Sequence, residues 1–291
     1  VNTYSIGFNE KRYNEAEFAK AIAKHLGTAH TELYVGDNEL RDVVPLLPSL
    51  WDEPFADSSQ IPTYLVSKLA SAHVTVALSG DGGDELFCGY DRYRQGAALM
   101  NRLGLAGQPL RTAVSGIVKT LPSRLLDVLL APFLSVATGK EPNGQRLHRL
   151  ADYLATASTE ELHRLLVSRW REPEVPVLNG IEAPSILCEE LPPRGNLSHE
   201  ERMMQLDMLA YLPDDILTKV DRAAMGVSLE SRAPLLDHRV VEFAWSMPLE
   251  LKIREGQSKW LLRQVLYRHV PRELIDRPKQ GFEVPIGIWL R

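Results

Sequence analysis

The stretch Ser79-Gly80-Asp81-Gly82-Gly83-Asp84-Glu85 places three glycines and three acids within seven residues, directly after the β-rich run Val74 to Leu78. A strand that feeds a glycine turn and then a helix suits an anion, because glycines let backbone N–H groups converge on it. Ligands of open α/β sheets also collect at the carboxyl ends of strands. The acids complicate a bare phosphate cradle, since carboxylates repel a polyphosphate unless a cation stands between them. Mg²⁺ resolves the conflict, taking one or two carboxylates together with substrate phosphates. No G-x-x-x-x-G-K-[ST] occurs, so the loop is not a P-loop of that kind. Two other readings stand beside this one. The acids could simply favour a helix N-terminus, or Ser79 could be a nucleophile, although a nucleophile elbow wants glycine where Ala77 stands.

Basic residues recur in the last third of the chain. They are Lys219 and Arg222 within Leu212 to Met225, Arg232 within Glu230 to Asp237, and Lys279 within Arg277-Pro278-Lys279-Gln280-Gly281-Phe282. Taken alone they read better as a solvated helix face with ordinary ion pairs, Glu230 pairing with Arg232. The eight histidines form no H-E-x-x-H, and Cys88 and Cys188 have no metal-ligand spacing, which argues against zinc. Two distant cysteines form no disulfide framework and point to a reducing, cytoplasmic setting. A net charge of −5 argues against nucleic acid as the main partner, and no apolar run is long enough to span a bilayer.

The elements that must position these residues follow from periodicity. Thr3 to Phe8, His30 to Val35 and Val74 to Leu78 read as strands. Asn14 to Leu26 reads as a helix with Phe18, Ile22 and Leu26 on one stripe and Gly27 as its stop. Asn38 to Trp51 is a helix interrupted by Pro45 and Pro48, and Ser58 to Ala72 is helical. This alternation predicts parallel βαβ units over residues 1–95. Residues 96–200 read as a helical insertion with proline-rich breaks and no assignable chemistry. Residues 201–291 read as a largely helical segment, with helices over Glu200 to Leu212, Pro213 to Met225 and Ser258 to His269, that completes the site.

In their order and spacing, Leu78 to Tyr90, Leu212 to Met225, Glu230 to Asp237, Arg277 to Phe282 and the stretch Asp52-Glu53-Pro54-Phe55 with Asp57-Ser58-Ser59 resemble the synthetase domain of the glutamine-dependent asparagine synthetases and their β-lactam synthetase relatives. The resemblance covers almost the whole chain. It implies an α/β fold with a parallel sheet of the adenine nucleotide alpha hydrolase-like (ATP pyrophosphatase) type and a largely helical C-terminal part. It implies ATP and Mg²⁺, adenylation of the aspartate side chain with release of pyrophosphate, and displacement of AMP by ammonia from a glutaminase domain. A different acceptor carboxylate, or a non-catalytic domain of this fold, are the alternatives; a homodimer is compatible with the sequence.

By the same resemblance Asp84 is an Mg²⁺ ligand, Ser79 and Gly80 line the nucleotide, and Ile6 and Gly7 pack near adenine. Arg222 and Lys279 neutralise phosphate or pyrophosphate. Tyr90 and Glu230 match a pair that assists proton removal in the β-lactam relatives. Asp81 is a catalytic position where many relatives carry glutamate, one methylene longer. The family carries an S-G-G-x-D-S pyrophosphate loop on the strand before Thr3 to Phe8. The chain begins after it, so the sheet is expected to lack its first strand and the isolated chain to be nearly inactive. Thr3 to Phe8 and Val74 to Leu78 are then expected to pair with each other or to recruit another chain.

Overall fold

The computed structural model describes residues 1–8, 14–122, 151–168, 186 and 196–276. It divides into two units, Val1–Gly89 with Ala210–Arg291, and Tyr90–Leu209. Both units are mixed α/β or helical, and the only sheets among the described residues are two-stranded.

The first unit opens with a βαβ unit. β1 (Asn2–Phe8) runs parallel to β2 (Ala29–Val35), with Ile6 opposite Leu33, and α1 (Ala16–Leu26) connects them. Period-two alternation sends Ile6 and Phe8 into the core, while Thr3 and Ser5 bond the two ring nitrogens of His30 at 2.9 and 3.1 Å. The stripe predicted for α1 is not its buried face: Phe18 and Leu26 are exposed and Ala16 and Ala23 are buried. Small side chains let the helix come close to β1. That closeness accounts for Gly7, where a Cβ would stand 2.6 Å from the Tyr34 ring and 3.0 Å from the Ala16 methyl. Gly27 ends α1 in the left-handed region, and Thr28 N–H closes back onto Ala23 O at 3.0 Å.

The prolines cut the next predicted helix to α2 (Asp37–Val43), followed by short helical turns over Val44–Leu46 and Leu47–Leu50. α3 (Gln60–Ser71) then leads to β3 (Val76–Leu78) and to the single turn α4 (Gly83–Leu86).

The second unit is helical where it is described: α5 (Asp91–Leu103), α6 (Gln108–Thr120), α7 (Thr159–Val167) and α8 (His199–Leu209). Its centre is Asp207, which is fully buried and accepts hydrogen bonds from His163 Nε2 at 2.7 Å, from the Tyr93 hydroxyl and from the Arg92 guanidinium. Burial pushes this carboxyl up, but those three partners outweigh it and hold it below the usual carboxylate range.

The chain re-enters the first unit through a π-helical turn, Leu212–Leu217, and α9 (Thr218–Met225). α9 and α3 close the core of β1 and β2, where Ile6, Phe8, Val35, Leu40, Trp51, Tyr64 and Ala223 pack together. β4 (Glu230–Arg232) pairs in parallel with β3, Ala77 facing Ser231. α10 (His238–Ser246) follows. A hairpin of β5 (Ile253–Arg254) and β6 (Gln257–Ser258) turns through Glu255 and Gly256, both at positive φ as a two-residue hairpin requires. The predicted helix from Ser258 therefore begins later, as α11 (Trp260–Leu266). Direct pairing of the first strand with the third, one outcome expected from the sequence, is not found. Among the described residues β1 pairs only with β2 and β3 only with β4. A cleft of about 600 Å³ runs between them, bounded by Thr3 and Tyr4 on one side and Val76 to Ser79 on the other.

Candidate functional site

The glycine-acid loop leaves the carboxyl end of β3 and is fastened to the segment that follows β4. Ser79 N–H donates to Arg232 O at 2.9 Å. Gly82 adopts φ +86°, which only glycine takes without strain, and a Cβ there would overlap the Leu236 side chain. Gly80 faces open space, with nothing within 4 Å of a built Cβ. The Ser79 hydroxyl is buried and has no hydrogen-bond partner among the described residues. Asp81 is half-buried at the mouth of the cleft, and Glu85 is turned inward, 1% exposed.

Asp84 is paired with a lysine from the last third of the chain. Its Oδ2 lies 2.9 Å from Lys259 Nζ, and both side chains keep some solvent exposure. Lys259 sits at φ +54°, an uncommon conformation for a residue with a Cβ, and its N–H donates to Phe87 O at 3.2 Å. Gly89 N–H donates to Asp84 O at 2.7 Å, and a Cβ on Gly89 would overlap both Asp84 Oδ1 and Lys259 Cε. A lysine from the distant C-terminal segment is thus built into the loop by main-chain and side-chain contacts together. Strained backbone held by its surroundings is a feature of functional sites. The sequence reading missed Lys259 because it ran a helix over Ser258 to His269 without singling the residue out; the Glu255-Gly256 pair was the available signal for a hairpin.

The other residues singled out in the sequence fall as follows. Ile6 is a core residue, 4% exposed, and Gly7 is the close-packing point under Tyr34. Arg222 pairs with Asp52 at 2.6 Å in an exposed contact. At 100° per residue it lies on the face of α9 opposite Val220 and Ala224, which line the cleft. Glu230 and Arg232 pair at 2.6 Å, both exposed, and the guanidinium holds the carboxyl below its usual range. Tyr90 belongs to the second unit, where the Arg92 guanidinium lies 3.9 Å over its ring and Tyr93 packs edge-on. Lys279, with the rest of Arg277 to Phe282, lies outside the described residues. Lys219 is buried and pairs with Asp57 at 2.7 Å, joining α9 to the residues that lead into α3.

Among the described residues no cluster of three or more histidine, cysteine or acidic side chains could enclose a metal. The donors present, Asp84 with Asp81 three residues before it, are hard oxygens in the number that Mg²⁺ takes from protein when phosphates complete its shell. They fit that ion and do not fit zinc. No helix among the described residues is long and apolar enough to cross a membrane.

Comparison with known proteins matches the asparagine synthase family over residues 1–291. The chain is 32% identical over its whole length to asparagine synthetase [glutamine-hydrolyzing] 1 of Bacillus subtilis, covering 43% of that protein. It is 32% identical over 99% of its length to a putative asparagine synthetase [glutamine-hydrolyzing] of Mycobacterium bovis, covering 42% of it. A 96-residue stretch is 41% identical to a putative asparagine synthetase of Methanocaldococcus jannaschii. The chain spans about two fifths of the length of the first two relatives.

Proposed function

The chain belongs to the asparagine synthase family, and on that premise we propose that it carries part of the synthetase site of an ATP-dependent amide ligase. In this reading the side-chain carboxylate of aspartate is adenylated, and ammonia drawn from glutamine displaces AMP to give asparagine and pyrophosphate. A carboxylate is a poor electrophile, and adenylation gives it a leaving group. The chemistry then turns on stabilising the negative charge that gathers on pyrophosphate.

The observation that carries the reading is the construction around Asp84: a glycine loop at the end of a parallel strand, a partly exposed acid, and Lys259 held beside it. Ser79 offers a buried hydroxyl with no partner among the described residues, and Gly80 leaves room for a ligand to approach the backbone. Lys259 supplies the positive charge, and Asp81 borders the acceptor. Asp84 would hold Mg²⁺ together with the phosphates, and the ion would supply the remaining charge neutralisation. Tyr90, Glu230 and Lys279 keep the roles implied by resemblance as part of this proposal, whereas Arg222, paired with Asp52 on the face of α9 away from the cleft, is assigned none.

The test uses the protein that contains this chain, supplied with ATP, aspartate and either glutamine or ammonia. Pyrophosphate and asparagine should appear in equal amounts, and Asp84→Asn should abolish both. Undiminished turnover in Asp84→Asn, or pyrophosphate release that ignores aspartate, contradicts the reading.

A further inference from the structure

The Asp84–Lys259 pair poses a problem for any divalent ion. A carboxylate offered to a metal is here already neutralised by an ammonium group at 2.9 Å. The pairing is no loose surface contact. Lys259 is held at φ +54° with its N–H on Phe87 O, and the missing Cβ of Gly89 leaves the space that Asp84 Oδ1 and Lys259 Cε occupy. The lysine main chain is therefore fixed, while its side chain retains rotatable bonds and some exposure. A metal arriving alone must displace the ammonium and then tolerate its repulsion. A metal arriving with a polyphosphate brings a second anion, toward which the ammonium can swing while staying near the loop.

We infer that Lys259 keeps Asp84 closed to free divalent metal and releases it when a polyphosphate enters with the metal. The inference rests on the reading of Asp84 as a metal-facing carboxylate. It adds an order to binding, with nucleotide and metal taken up together, and gives Lys259 a gating part distinct from neutralising phosphate.

The experiment is titration of the 291-residue chain with Mn²⁺, followed by the electron paramagnetic resonance of the free ion, with and without ATP. Removing one full charge from beside a partly exposed carboxylate changes the affinity for a cation by about tenfold. Lys259→Met should therefore bind Mn²⁺ alone about tenfold more tightly than the parent chain, and Lys259→Arg, which keeps the charge, should bind it as weakly as the parent. Asp84→Asn in the Lys259→Met background should remove the gain. Circular dichroism establishes that each variant is folded, and the Arg variant decides the matter if methionine disrupts the loop: Mn²⁺ binding by Lys259→Arg well above the parent's overturns the inference. Equal or weaker Mn²⁺ binding by folded Lys259→Met overturns it as well, while leaving Asp84 as a ligand intact. A gain that survives Asp84→Asn shows that the metal sits elsewhere, which overturns both the inference and the reading beneath it.

Discussion

Replacing Lys219 with methionine removes a charge and little volume, and the structure allows its consequence to be worked out. Lys219 Nζ lies 2.7 Å from Asp57 Oδ2, with the side chains 10% and 18% exposed. Ser59 donates its N–H and hydroxyl to the same carboxylate at 2.9 Å. Burial pushes the Asp57 carboxyl up, but the hydrogen bond and charge of Lys219, aided by Ser59, hold it below the usual range. Breaking a buried pair by removing one partner costs about 3–5 kcal/mol. With Ser59 still in place and some water access, about 2–3 kcal/mol is expected here. At about 2–4 °C per kcal/mol the melting temperature should fall by roughly 5–10 °C.

The pH dependence follows from the sign of the shift. A depressed folded-state value means the stabilisation is complete above the unfolded carboxyl value, about pH 4, and is lost as pH falls through the folded one. Lys219→Met lets Asp57 take up its proton more readily, so its deficit should shrink on acidification. Urea unfolding of both chains, followed by circular dichroism at about pH 7 and about pH 3.5, measures the gap. A gap below about 0.5 kcal/mol at neutral pH, or one that does not change with pH, refutes the assignment of a buried pair.

Three further outcomes follow from the geometry. Gly82→Ala places a Cβ at φ +86° against Leu236 and should cost about 1–3 kcal/mol in unfolding free energy; a neutral effect contradicts the turn as described. Asp207→Asn leaves His163 and Arg92 without their shared anion in the second unit and should cost about 3 kcal/mol. Because the Asp207 carboxyl is depressed, that stabilisation should also be lost from the parent chain as pH falls below about 4, which acid titration of the melting temperature reads directly. Ser79→Ala removes a buried hydroxyl that has no partner among the described residues, so stability should stay within about 0.5 kcal/mol or rise, while nucleotide affinity measured by calorimetry falls; unchanged affinity argues that the hydroxyl faces no ligand.

Much of the architecture was legible where local signals are strong. The βαβ start could be read from alternation in Thr3 to Phe8, from the capped α1 and from Gly27. The loop after β3 was legible from glycine and acid spacing alone. What escaped depends on contacts between distant residues. β4 is Glu-Ser-Arg, with no strand-forming character of its own, and it is a strand because β3 offers it an edge. The buried face of α1 is alanine, chosen by closeness to Gly7 and not by hydrophobicity. Among the described residues a cation beside Asp84 is Lys259, which sequence reasoning passed over because a two-residue turn at Glu255 and Gly256 redirects the chain before α11. The possibility of an ordinary ion pair between Glu230 and Arg232 was visible in the sequence and is what the structure contains.

The account stands on one location: the loop from Ser79 to Glu85, closed by Lys259, receives the polyphosphate of a nucleotide. Crystals grown with ATP and Mn²⁺, examined at the manganese absorption edge, locate that ion directly. The account predicts an anomalous peak in coordination contact with Asp84, at about 2.1–2.2 Å, with phosphate oxygens against the Ser79–Gly80 backbone and Lys259 turned from Asp84 toward them. A nucleotide bound with its phosphates away from this loop, and Asp84 still paired to Lys259, would contradict it.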